Sequence, residues 1–158
     1  MAEGANKEGF RGYCAHQPFN GLRIPVPVQN VLLRDFCNRN GMMFKLSVNE
    51  LDFPGSYVQL LGLLGEIEAL EGIVLASFFM LPSKAEERQK VFDTVLNAGA
   101  EMHFIIENQK LASREDAERI EDLFRMAKVL AHCPRTIDPA LLGPAPGEPR
   151  FSTPVESA

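Results

Sequence analysis

The sequence is short of the features that fix a function on sight. Its three cysteines, Cys14, Cys37 and Cys133, lie far apart and form no CxxC pair. An odd count without metal-ligand spacing reads as reduced thiols, which predicts a cytoplasmic protein rather than a disulfide scaffold. No apolar stretch approaches the roughly 20 residues a membrane-spanning helix needs; the longest, 73–81, is interrupted by Ser77. Residues 1–8 lack the basic start and apolar run of a signal peptide. Basic charge is also short: 16 Lys and Arg against 21 Asp and Glu leave a net charge of −5 and a pI near 5.2. Such a field does not attract phosphate backbones, so neither nucleic acid nor an anionic membrane is expected as a partner. The histidines show no HxH or HxxxH spacing, and no metal is expected. Without GxGxxG, GxxxxGK[ST] or GxSxG there is no dinucleotide fingerprint, P-loop or nucleophile elbow, and no cofactor is expected.

What is present suits one globular domain. The 158 residues are 46% hydrophobic and 23% charged, enough to fill a core. Residues 1–9 read as a flexible start and 10–133 as the domain. Six prolines between Pro134 and Pro154 make 134–158 a tail without regular structure. Within the domain, strand and helix patterns alternate. Strands are expected at 10–15, 42–47, 73–81 and 101–107. Val28, Leu32, Leu33 and Phe36 stripe a helix over 28–40 that Gly41 ends. Leu60, Leu61, Leu64 and Ile67 stripe a second over 57–70. Ser83 and Glu86 form a capping-box pattern for a third, and Ser113 caps a fourth with Glu115 and Asp116 in its first turn. Connections of a dozen residues or more that carry helices require largely parallel strands. The prediction is a small doubly wound α/β domain, a largely parallel four-stranded sheet flanked by helices.

In such folds ligands sit beyond the carboxyl ends of the strands. That rule selects His16, Glu50 and Glu107 as acid–base candidates, because a histidine titrates near neutrality and two carboxyls in one pocket divide into acid and base. Tyr13, Gln29, Asn30, Ser47 and Ser77 could bind hydroxyl groups, and Arg23 and Arg34 could hold a phosphate or carboxylate. Cys14 and His103 read as packed core residues, and His132 as a charge favouring a helix end.

Two families share parts of this pattern. Arg11-Gly12-Tyr13, the Gln29 helix, Glu50, Gly72-Ile73-Val74 and the stretch from Phe104 to Glu107 resemble, in order and rhythm, the catalytic domain of serine recombinases (resolvases and invertases). That family places a serine nucleophile just after its first strand, where this chain has Cys14-Ala15-His16-Gln17. Its Asp-Arg pair is replaced by Phe78-Phe79-Met80-Leu81, and no helix-turn-helix follows the last helix. The resemblance therefore implies a resolvase-like or flavodoxin-like fold without strand transfer. A second set is similar to the sporadic carbohydrate cluster family, small bacterial proteins of surface-sugar gene clusters. It comprises Arg11-Gly12-Tyr13, Arg23-Ile24-Pro25 with Gln29-Asn30, Arg34-Asp35-Phe36-Cys37, Leu46-Ser47 with Glu50, Gly72-Ile73-Val74, Ser77 to Pro82, and His103-Phe104 with Glu107. This implies a part in bacterial surface-carbohydrate biosynthesis. On that basis the expectation is a cofactor-independent isomerase, epimerase or lyase acting on a sugar or nucleotide sugar. The alternative is a non-catalytic, resolvase-like interaction or scaffold module in a carbohydrate-biosynthesis assembly. Either would suit a homo-oligomer formed through the apolar face of the last helix, with Met126 and Leu130 extending it.

Overall fold

The computed structural model describes residues 6–136 and 138–141. The remainder of the Pro-rich tail, and residues 1–5, lie outside them. In chain order the elements are β1 (Phe10–Cys14), α1 (Val26–Arg39), β2 (Phe44–Asn49), α2 (Val58–Gly65) and β3 (Gly72–Leu75). Then follow α3 (Ala85–Asn97), β4 (Glu101–Phe104), β5 (Gln109–Leu111) and α4 (Arg114–Leu130). They build one five-stranded sheet of order β2-β1-β3-β4-β5. The first four strands are parallel and β5 is antiparallel.

The α/β class and the parallel sheet agree with the sequence pattern, but there are five strands rather than four. The expected strand 101–107 stops at Phe104 and folds back, with Asn108 in the left-handed region (φ 50°) and β5 pairing on β4. A three-residue strand leaves too little alternation to read. The apolar run 73–81 also divides. Its first residues form β3; then the Ser77 hydroxyl accepts the Phe79 amide and starts a short 3₁₀ turn, Phe78–Met80. Ordered structure begins before Phe10, since the amide of Glu8 donates to Ala69 (3.0 Å) and that of Gly9 to the Glu71 carboxylate (2.8 Å).

Side chains alternate across the sheet with the strand period of two. Phe10, Cys14 and Val74 meet Val26, Leu33 and Cys37 of α1 on one face. Tyr13, Ile73, Leu75, Met102 and Phe104 meet α2, α3 and α4 on the other. Full burial of such aliphatic and aromatic side chains stabilises by about 1.5–3 kcal/mol each. Gly12 sets how closely α1 lies on the sheet. A Cβ there would stand 2.8 Å from Leu33 Cδ1 and 2.9 Å from Ser47 Cβ. At the sheet's margin, β2 pairs among the described residues only with β1 and carries Lys45 and Leu46 in the open, Leu46 at 71% exposure.

The capping box expected at Ser83 does not form. α3 starts at Ala85 without a side-chain cap, and the Ser83 carbonyl accepts from Arg88 instead. Arg88 is 2% exposed. Its Nε and Nη2 grip Glu121 (2.7 and 2.9 Å), its Nη1 reaches the carbonyls of Pro82 and Ser83 (2.9 and 2.7 Å), and its guanidinium lies 3.8 Å over the Phe124 ring. The box forms at the fourth helix, where Ser113 and Asp116 exchange side-chain to backbone bonds.

Candidate functional site

The chain leaves β1 through α1 towards β2 on one side, then returns over β1 through α2 to β3 on the other. The carboxyl ends of β1 and β3 are therefore the point where the winding reverses and where ligands of such sheets bind. Here that point is nearly filled. A void of about 80 Å³ remains, lined by Tyr13, Gln17, Phe19, Glu50, Phe53 and Phe79 among others.

Glu50 follows β2 directly and is buried. Its carboxylate accepts the amides of Leu51 (2.9 Å), Gln59 (3.0 Å) and Leu60 (3.2 Å), the Ser56 hydroxyl (2.9 Å) and the Tyr13 hydroxyl (3.1 Å). Two of those amides belong to the first turn of α2, which has no other side-chain cap and whose dipole favours an anion. Burial alone would raise the Glu50 pKa, but these donors hold it below the usual carboxylate range. Burial, then the Glu50 charge and the bond to it, push the Tyr13 phenol up. Both groups are thereby fixed in one protonation state and point at each other.

The other selected residues mostly serve the backbone that shapes the rim. Gln29 is fully buried; its amide accepts from the Ala15 N–H (3.2 Å) and donates to the carbonyls of Ala15 and Ile24 (both 2.7 Å). Asn30 donates to Val26 (3.2 Å) and accepts the Ser47 hydroxyl. The Ser77 hydroxyl donates to Glu107, which also takes the Phe78 amide (3.3 Å). Arg34 does not reach the crevice; its guanidinium lies 5.7 Å from the Phe44 ring centroid, at the opposite end of β2. Cys14 is buried, and burial pushes its thiol up to about 11. His103 packs on Phe10 and Phe36, with ring centroids 5.6 Å away in each case.

Like Arg34, His16 and Arg23 are exposed. With Ile24, Pro25 and Asp52 they line a separate cavity of about 310 Å³. Asp52, which the sequence pattern did not single out, is held by Gln17 Nε2 (3.0 Å). The shared crevice expected for His16, Glu50 and Glu107 is thus not formed. His16 lines this outer cavity, Glu50 the inner void, and Glu107 borders neither. The physical reason is that both carboxylates turn inward to neutralise unpaired amides at the start of a helical turn. Among the described residues no three His, Cys, Asp or Glu side chains gather as a metal set.

The fold is shared with a recombinase-type catalytic domain. The solved N-terminal catalytic domain of TP901-1 integrase superposes with a TM-score of 0.51 over 77% of this chain and 92% of that one, at 11% identity. At that identity the likeness shows the fold alone. No family model and no curated protein matches the chain, so the carbohydrate-cluster resemblance gains no support. One expectation is corrected: nucleic acid was excluded as a partner on net charge, but a fold shared with an integrase catalytic domain removes that exclusion. Net charge describes the far field and not a local surface. Among the described residues no helix is long and apolar enough to cross a membrane.

Proposed function

We propose that this chain is a non-catalytic interaction module built on a recombinase-type α/β fold. The observation that carries it is the state of the rim. Tyr13, Gln29, Asn30, Ser47, Glu50, Ser77 and Glu107 bond to one another or to nearby backbone, and the void beside Tyr13 and Glu50 is about 80 Å³. Pockets for small ligands generally measure about 300–1,000 Å³. Apolar side chains, by contrast, stand out on the helices: Val58 and Leu61 on α2, and Met126, Val129 and Leu130 at the end of α4. A bacterial surface-sugar assembly as the setting rests on the sequence strings alone.

A second reading keeps a specific observation of its own. The cavity of His16, Arg23 and Asp52 offers a base, a cation and an acceptor in about 310 Å³. That set suits cofactor-independent chemistry on a sugar or nucleotide sugar, with Arg23 on a phosphate and His16 moving a proton.

Thermal-shift screening against nucleotide sugars, sugar phosphates and duplex DNA separates these. A ligand that binds only the folded chain stabilises it by mass action, by about 2.7 kcal/mol at a hundredfold excess over Kd, and so raises its melting temperature. The module reading expects no small-molecule shift. A nucleotide-sugar shift abolished by His16→Ala and Arg23→Ala would replace it with the enzyme. A shift with DNA alone would make nucleic acid the partner.

A further inference from the structure

The two edges of the sheet differ. β5 is three residues long, and Arg119 of α4 reaches over it to Gln109 Oε1 (3.1 Å). β2 is six residues long, the longest strand among the described residues, and β1 is its only strand partner there. Along the outer side of β2 the backbone N–H and C=O groups therefore have no strand to pair with. Those groups define what can cover them. An apolar molecule leaves them unmet, whereas an extended chain satisfies both in turn.

The side chains at this edge narrow the choice. An open shelf of about 450 Å³ lies along it, lined by Arg11, Phe44, Lys45 and Leu46 and by no acidic residue. Arg11 Nη1 pairs with Glu66 (2.7 Å), and the Arg34 guanidinium lies 5.7 Å from the Phe44 ring centroid. Among the described residues Arg34 and Lys45 make no ion pair. The edge is thus basic in a chain whose net charge is −5. β2 itself, FKLSVN, has Lys45 as its one charge, so a second copy laid against it would offer Lys45 no acid in any register. A phosphate backbone would answer the charge but has no N–H groups for the β2 carbonyls.

We propose that the outer edge of β2 is the docking site of an acidic, extended segment of a partner protein. The segment joins the sheet as a sixth strand, with a carboxylate beside Lys45 and an apolar side chain on Leu46. In strand addition the main chain supplies affinity and the side chains select the partner. Lys45 excludes an uncharged or basic strand and admits an acidic one. The inference rests on the module reading and names the chemistry of its partner.

The test is an NMR titration of the isotope-labelled full chain with a short soluble peptide of alternating valine and glutamate. Saturable shifts are expected in the amides of β2, and added salt should weaken the binding. A peptide with lysine in place of glutamate should bind several-fold more weakly, and Lys45→Glu should invert that preference. Lys45 is exposed, so this variant should keep its fold, which circular dichroism checks. The valine–glutamate peptide methylated on its backbone nitrogens should not bind. Absence of binding, or binding that survives methylation, overturns the inference. So do shifts centred on α2, α3 or α4, or a charge preference that Lys45→Glu leaves unchanged. Pairing of β2 with a second copy, contacts to β2 from residues 142–158 in the peptide-free chain, or displacement of the peptide from β2 by duplex DNA overturns it by naming another occupant. The thermal screen judges the module reading through His16 and Arg23, so failure there and failure at β2 are distinct results.

Discussion

Glu50 shows how a single side chain can be read correctly for place and wrongly for task. It stands where a catalytic carboxylate belongs, yet it caps α2 and is ionised by its donors. Hydrogen bonds to charged groups contribute about 1.5–3 kcal/mol, so Glu50→Gln should lower stability by roughly that amount in chemical denaturation. The pH dependence has a definite sign. Because the folded-state pKa is depressed, the contribution is present above the unfolded carboxylate value and is lost as pH falls through the folded one. Stability of the wild-type chain should therefore fall on acidification, and Glu50→Gln should flatten that part of the profile. Residue types and chain positions at the rim were legible because they follow from where strands end. Their bonding was not, since Glu50 meets the amides of Gln59 and Leu60 only once α2 has docked.

At the scale of elements, helices were the readable part. The stripes of α1 and α4 and the Ser113 cap are local and periodic, and the sequence displays them. Strand ends were not, because an unbroken apolar run such as 73–81 carries no mark of where β3 gives way to a turn. Nor was the contact between α3 and α4 legible; no spacing announces that Arg88 will meet Glu121 thirty-three residues on. Breaking such a buried pair from one side costs about 3–5 kcal/mol, and replacing both partners by apolar residues of like volume is often close to neutral. Arg88→Ala should thus destabilise severely, while Arg88→Met with Glu121→Leu recovers most of the loss in a thermal or urea melt. The seating of α1 gives a second measurement. Gly12→Ala forces a methyl against Leu33 and Ser47, and overpacking of that kind costs typically about 1–3 kcal/mol.

For the whole molecule, the winding order places one helix on one face of the sheet and three on the other. The reversal point lies between β1 and β3. That geometry directs attention to the rim and equally explains why the rim is closed: helical turns beginning there draw in the carboxylates that follow β2 and β4. The far margin of the sheet has the opposite character. Among the described residues β2 has no strand neighbour on its outer side, and its Leu46 is largely bare. A naked strand border is a template on which another extended chain can be laid down, and natural sheets deter this with a lysine in the border strand. Lys45 is that deterrent here. Its replacement by valine should leave the monomer's melting point almost unchanged yet seed ordered aggregates, measurable as thioflavin fluorescence growing with time and suppressed by fresh wild-type charge at the same position.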